Sequence, residues 1–159
     1  MARDDEAFSA FAAARYRSLV RTAYLLVGDR GHAEDLVQNA LLTTYGAWNR
    51  LEDPANAEAY TRTSLVRAAL RWRSRKWHGE VPTADLPDVS TDPAEDLDSV
   101  RRALAQLPAQ QRAVIVLRYL DDLSEAQTAE VLGISVGTVK SRASRGLAAL
   151  RASDEVLRG

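Results

Sequence analysis

The chain has 159 residues, 46% hydrophobic and 27% charged, with a formal net charge of −1, which is the composition of a folded chain large enough for one ordinary domain or two small ones. The absence of cysteine excludes disulfides and thiolate metal sites, and two isolated histidines, His32 and His78, argue against any other metal site, so no cofactor is expected. No apolar run approaches the ~20 residues of a membrane span, and MARDDEAFSAF carries acids where a secretory leader has a basic flank, so the cytoplasm is the expected compartment.

Apolar residues at every third or fourth position, among them Phe8, Phe11, Ala12, Leu19, Ala23 and Leu26, predict a first helix from about Asp4 to Val27, stopped by Gly28. A second runs from about Gly31 to Trp48. Its stripe of Ala33, Leu36, Val37, Ala40, Leu41, Ala47 and Trp48, with Leu42 and Tyr45 beside it, is broad enough to pack on more than one side. The segment LEDPANAE then breaks the pattern at Pro54 and offers Asn56 as an N-cap. A third helix follows over about 57–77, with Tyr60, Leu65, Ala68, Ala69 and Trp72 facing inward and arginines facing out.

From His78 to Asp96 the chain reads HGEVPTADLPDVSTDPAED, with Pro82, Pro87 and Pro93 and few apolar residues. That composition marks a linker whose 17 residues from Gly79 to Glu95 are able to reach ~60 Å at ~3.3–3.6 Å per residue. Four shorter helices are predicted beyond it, at about 96–106, 109–120, 125–132 and 136–151. Pro108 suits the first turn of one of them, and Ser124 with Gln127 forms a capping-box signature. No segment alternates as a strand would. The class is all-α, in two small helical domains over residues 1–78 and 96–159, joined by the acidic linker 79–95.

The near-neutral total conceals segregated charge. Arg62, Arg67, Arg71, Arg73, Arg75 and Lys76 stand in a run without an acid, and Lys140, Arg142, Arg145 and Arg151 stand in another. Between them Glu80 to Asp98 carries acids and no base. With the basic helices unoccupied, the acids Asp85, Asp88 and Asp92 of the linker could fold against them.

The most informative stretch is LGISVGTVKSRASRG, residues 132–146. Gly133 fits the left-handed position just after a helix, and Ser135 fits the N-cap of the next, with a three-residue turn between them, as in a helix-turn-helix. A phosphate-binding loop would need glycine directly before lysine at the end of a strand, and neither condition is met. On the final helix Val139, Ala143, Leu147 and Leu150 make one apolar face, with Val136 at its edge. The opposite face collects Gly137, Lys140, Ser141, Ser144 and Arg145, with Thr138 and Arg142 on its flanks. Glycine inside a helix costs ~1 kcal/mol, and small residues between long cations suit entry into a DNA major groove. A solvated surface face is the plainer alternative. The turn spacing and the absence of acids from Ser135 to Arg151 favour DNA. No nucleophile–base pair or carboxylate constellation points to an enzyme.

The segment LPAQQRAVIVLRYLDDLSEAQTAEVLGISVGTVKSRASRGLAALR resembles region four of the extracytoplasmic-function (ECF) sigma factors of the sigma-70 superfamily, and GDRGHAEDLVQNALLTTYGAW resembles their region two. The helix YTRTSLVRAALRWRSRKW is similar to that of the short actinobacterial-type subgroup, so the resemblance covers nearly the whole chain. It implies a transcription initiation factor that binds core RNA polymerase and promoter DNA, is monomeric when free, joins the nucleoid in the holoenzyme, and is often held by an anti-sigma factor. Glu34, Asp35, Leu36, Gln38 and Asn39 fall in the segment that meets the clamp helices of the polymerase beta-prime subunit. Asn39 stands where the family commonly has an acid. Compensation of a helix dipole is the plain reading of Glu34 and Asp35. Gly137, Thr138, Lys140, Ser141, Ser144 and Arg145 match positions on the helix that reads the −35 element, and Arg142 suits a phosphate.

For the −10 element, the resemblance points to Asn56 as a base reader, with capping of the following helix as its alternative. Arg62, Arg67, Arg71, Arg73, Arg75 and Lys76 supply phosphate contacts that position a strand without reading it. Trp77 either stacks on a base or anchors the helix end, whereas Trp72 is expected in the core. The alanines of this helix (Ala57, Ala59, Ala68, Ala69) leave strand separation to base capture more than to aromatic wedging. A stand-alone helix-turn-helix regulator and a protein-binding module with incidental basic helices are the competing readings.

Overall fold

The computed structural model describes residues 5–77 and 95–158, with side chains described over 5–72 and 97–154. Seven helices follow one another: α1 (Asp5–Val27), α2 (Arg30–Ala47), α3 (Pro54–Trp77), α4 (Glu95–Ala105), α5 (Ala109–Ile115), α6 (Glu125–Leu132) and α7 (Val136–Arg158). A short 3-10 turn, Trp48–Arg50, follows α2, and no strand occurs among the described residues.

Helices α1, α2 and α3 pack mutually around Leu19, Ala23, Leu26, Val37, Leu65 and Ala69, all buried. Where α2 meets α3, the hydroxyls of Thr44 and Thr61 lie 2.6 Å apart, fully buried and within reach of their own helices' carbonyls at Ala40 and Ala57. Polar atoms in that position are tolerated because each has a partner. At the other end Phe8 and Phe11 of α1 close on Tyr45 and Trp48, with ring centroids 4.9–5.4 Å apart across the pair of helices. Trp72 is buried against the ring of His32, as expected of a core residue.

Several helix ends differ from expectation for local reasons. Helix α2 starts at Arg30 because the carboxylate of Asp29 accepts from the His32 N–H at 2.9 Å and caps it. Helix α3 starts three residues early, at Pro54. The carboxylate of Asp53 accepts from the Ala55 N–H, and proline tolerates a first-turn position. Asn56 is therefore inside the first turn and is not the N-cap. The predicted helix 109–120 ends in a π-helical stretch, Val116–Leu120, in which the Asp121 N–H donates to the Val116 carbonyl at 2.9 Å. Helix α7 continues past Arg151 to Arg158, since 152–158 contain no breaker. The capping box on α6 forms as read: the Ser124 hydroxyl accepts from the Gln127 N–H while the Gln127 carboxamide accepts from the Ser124 N–H.

The two groups of helices share one continuous core. Leu104, Leu107, Ile115, Val116, Leu117 and Leu123 join the apolar cluster of α1–α3. At its centre lies Arg112, 4% exposed. Its guanidinium donates to the carbonyls of Leu104 (2.8 Å), Ala105 (3.3 Å) and Leu107 (2.7 Å) at the end of α4, and to Leu26 (3.1 Å) at the end of α1. Helix C-termini present unpaired carbonyls and partial negative charge, so one cation satisfies two of them at once. The π-helical stretch carries Asp121 to the neighbouring helix α1. There its carboxylate accepts from the Thr22 hydroxyl at 2.8 Å and sits 3.6 Å from Arg21. The Tyr24 hydroxyl, also on α1, donates to Asp98 of α4 at 2.6 Å. Burial raises the Tyr24 phenol above its ordinary value, and the Asp98 hydrogen bond adds to this, so it stays a neutral donor.

Replacing Arg112 by Ala strips four carbonyls of their donor inside the core, and a loss of ~3–5 kcal/mol in urea unfolding is expected. Asp121 has the opposite balance. Burial raises its carboxyl above the ordinary 3.8, outweighing the Thr22 hydrogen bond and the nearby cations Arg62 and Arg21. The folded chain thus binds this proton at higher pH than the unfolded chain. Stability relative to Asp121→Asn should rise as pH falls through the raised folded value towards 3.8, and level off below it. Paired unfolding curves of the two proteins across that range check the sign.

Candidate nucleic-acid interface

The turn between α6 and α7 sets the geometry of the best-defined surface. Gly133 adopts φ 67° and ψ 37°, and its N–H reaches the carbonyls of Ala129 and Glu130. A side chain there would be strained by the backbone itself. Two residues on, the Ser135 hydroxyl accepts from the Thr138 N–H at 3.1 Å and starts α7. Val139 and Ala143 are then buried against Val114 and Ala129, and Gly146 lies so close to Ile115 that an added Cβ would sit 3.0 Å from its Cγ1. With that face pinned, Gly137, Lys140, Ser141, Ser144 and Arg145 all face solvent. Thr138 and Arg142 are half-buried flanks. The Thr138 hydroxyl lies 2.9 Å from that of Ser135, and Arg142 donates to the Gln110 side chain at 3.2 Å. A Cβ on Gly137 would meet only the Ser135 hydroxyl, at 3.8 Å, so packing within the chain does not demand glycine there.

On α3 the arginines separate. Arg71 is exposed. Arg62 has a side chain 18% exposed and pairs with Glu58 at 2.9 Å, and Glu58 also meets Arg15 at 3.2 Å. Arg67 donates to the carbonyls of Val131 (3.1 Å) and Glu130 (3.4 Å) at the end of α6. Asn56 is exposed, with its N–H donating to the Asp53 carbonyl. The side chains of Arg73, Arg75, Lys76 and Trp77, and the linker acids Asp85, Asp88 and Asp92, lie outside the described residues.

On α2, Glu34, Asp35, Gln38 and Asn39 are exposed and Leu36 is half-buried. Because the helix begins at Arg30, Glu34 and Asp35 lie beyond its first turn, where the dipole effect has faded. Helix-end compensation therefore does not account for them. One residue escaped the sequence reading: Leu42 was placed beside the buried stripe, yet it is 68% exposed. It lies one turn beyond Gln38, and the spacing of four was the signal for it. Both line a groove between α1 and α2 together with Phe8, Ala12, Leu41 and Tyr45.

Residues 8–79 match the family described as Sigma-70 region 2, and residues 97–150 match that described as Sigma-70, region 4. The chain is 41% identical over 149 residues to the RNA polymerase sigma-E factor of Streptomyces avermitilis, covering 91% of this chain and 83% of that one. It belongs to the ECF RNA polymerase sigma factors. The ECF RNA polymerase sigma factor SigM of Mycobacterium tuberculosis is a further relative, 34% identical over 153 residues that span 94% of this chain and 78% of SigM. Among solved structures, the sigma factor RpoE of Bartonella quintana, in complex with the anti-sigma factor NepR, superposes with a TM-score of 0.77 at 30% identity. That match covers 95% of this chain and 98% of RpoE.

Being a sigma factor makes the chain a transcription initiation factor rather than an enzyme, and matches to both sigma regions leave no room for a stand-alone helix-turn-helix regulator. No described helix is long and apolar enough to cross a membrane. If the solvent face of α7 reads DNA, Arg145→Ala should weaken binding of the holoenzyme to its upstream element by ~1–3 kcal/mol, measured by competition between promoter fragments.

Proposed function

We propose that α7 of this sigma factor reads the −35 element, that α3 carries the −10 strand, and that α2 docks on the clamp helices of core RNA polymerase. The observation that carries the proposal is the division of α7: an apolar face pinned by Val139 and Ala143, and a solvent face of Gly137, Lys140, Ser141, Ser144 and Arg145. On that face the long cations reach phosphates or guanine edges, the serines let the helix sit deep, and Gly137 permits close backbone approach. Thr138 stabilises the helix start, and Arg142 is directed to a backbone phosphate.

Asn56 is exposed at the start of α3 and relieved of capping, which supports a role in base capture there. Arg62, Arg67, Arg71, Arg73, Arg75, Lys76 and Trp77 would track the strand beyond it. On α2 the exposed Glu34, Asp35, Gln38 and Asn39, with Leu36, form a surface of acids and amides that complements a basic partner and sets register. The functional units are residues 1–78 and 96–159, joined by 79–95, and the site of action is the cytoplasm, where the polymerase works. The complex of RpoE with an anti-sigma factor favours an anti-sigma partner here too.

Reconstituted transcription tests the assignment. Core polymerase with this chain should initiate at specific promoters that core alone does not use. Gln38→Ala combined with Leu36→Ala should weaken core binding at least ~tenfold, a loss of ~1.4 kcal/mol or more. Retention of full core affinity by that variant, measured by fluorescence anisotropy, would sink the role given to α2.

A further inference from the structure

The large apolar side chains exposed among the described residues are Leu42, Tyr119 and Val136. Leu42 lines the groove between α1 and α2, and the Arg118 guanidinium lies over the Tyr119 ring, 5.5 Å from its centroid. Val136 is the first residue of α7, 38% exposed, and belongs to neither apolar core. The apolar contact that braces this helix start is made by its neighbours. Ile134 packs on the core that holds Val139, at the spacing of a hydrophobic staple.

The polar groups beside Val136 are engaged with one another. The Ser135 hydroxyl accepts from the Thr138 N–H at 3.1 Å and lies 2.9 Å from the Thr138 hydroxyl. With these two held to each other by the cap, and with no side chain on Gly137, Val136 is left to extend outward. The N-terminal residues of a recognition helix are the ones that meet base edges in the major groove. The one alkyl group that the four base pairs present there is the C5-methyl of thymine. A valine set against any other edge would strip a donor or acceptor of water without offering it a partner. Valine is short, so the contact requires the helix start to lie deep. Gly137 permits that depth, and a Cβ on it would touch nothing in the chain nearer than the Ser135 hydroxyl at 3.8 Å.

We infer that Val136 is a specificity-determining residue of α7 that contacts the C5-methyl of one thymine in the −35 element. The inference rests on the reading of α7 as the −35 helix. At this position the chain reads by shape and desolvation, and the hydrogen-bonding face of Lys140, Ser141, Ser144 and Arg145 begins one turn later.

Selection by holoenzyme from promoter fragments randomised over the upstream element supplies the preferred duplex for the test. Each thymine of either strand is then replaced singly by deoxyuridine, which removes the methyl and keeps the base pair. At one position the wild-type holoenzyme should bind about fourfold more weakly, the effect of one buried methyl group. Val136→Ala should lower affinity for the thymine duplex by a similar factor. The same deoxyuridine should then have no further effect, because both changes remove one contact. A damaged fold does not imitate this result, since it weakens binding to every duplex and leaves the deoxyuridine effect in place. The inference is overturned if the selected element holds no thymine, if no deoxyuridine weakens wild-type binding, or if Val136→Ala leaves the deoxyuridine effect intact. Arg145→Ala separates the contact from the reading beneath it. If Arg145→Ala weakens binding to the element but no thymine methyl matters, α7 still reads the −35 element and only the role of Val136 falls. If neither matters, both fall.

Discussion

Arg112 is the interaction on which the arrangement of the whole chain depends. A guanidinium in an apolar core is costly unless every donor has an acceptor, and here the acceptors come from the C-terminal ends of α4 and α1. Those ends have carbonyls that no residue of their own helices can satisfy. One side chain of α5 therefore solves two termination problems and joins the two groups of helices. Arg67 repeats the device at the surface, on the end of α6. Interfaces built from arginines and helix ends are directional, so they specify one relative placement where apolar packing alone would accept several.

The DNA-facing surface follows from the opposite kind of economy. Between α6 and α7 a single left-handed glycine and a serine cap reverse the chain in three residues, and Arg67 completes the end of α6. A small core of Val114, Ala129, Val139 and Ala143 joins α5, α6 and α7, while Leu147 and Leu150 further along α7 pack on the large one. The solvent face of α7 takes no part in either core, whereas Arg62 and Arg67 of α3 each have a partner within the chain.

The helices themselves were legible because apolar spacing and caps are local: α6 has the bounds the residues predict, and α1 ends at Val27 as expected. The misreadings were local competitions that spacing does not rank. Asp53 and Asn56 are both good caps, and Pro54 between them decided for Asp53 by occupying the first helical turn. The helix after Pro108 was read as uniform, but its last five residues widen into π-helical geometry that brings Asp121 against α1. Leu42 was placed beside the buried stripe, although its spacing of four from Gln38 put it on the outer face where it stands.

The sequence by itself determined the all-α class, the turn at Gly133–Ser135, the two faces of α7 and the resemblance to both sigma regions, since each depends on residues within a few positions of one another. Tertiary structure decided which basic residues are open and which are engaged. Arg67 and Arg71 are indistinguishable in a helical pattern, four residues apart on one face. Both reach solvent, but Arg67 also donates to the end of a helix more than sixty positions away. The partner of a long side chain is set by what packs beside it, and no local spacing contains that information.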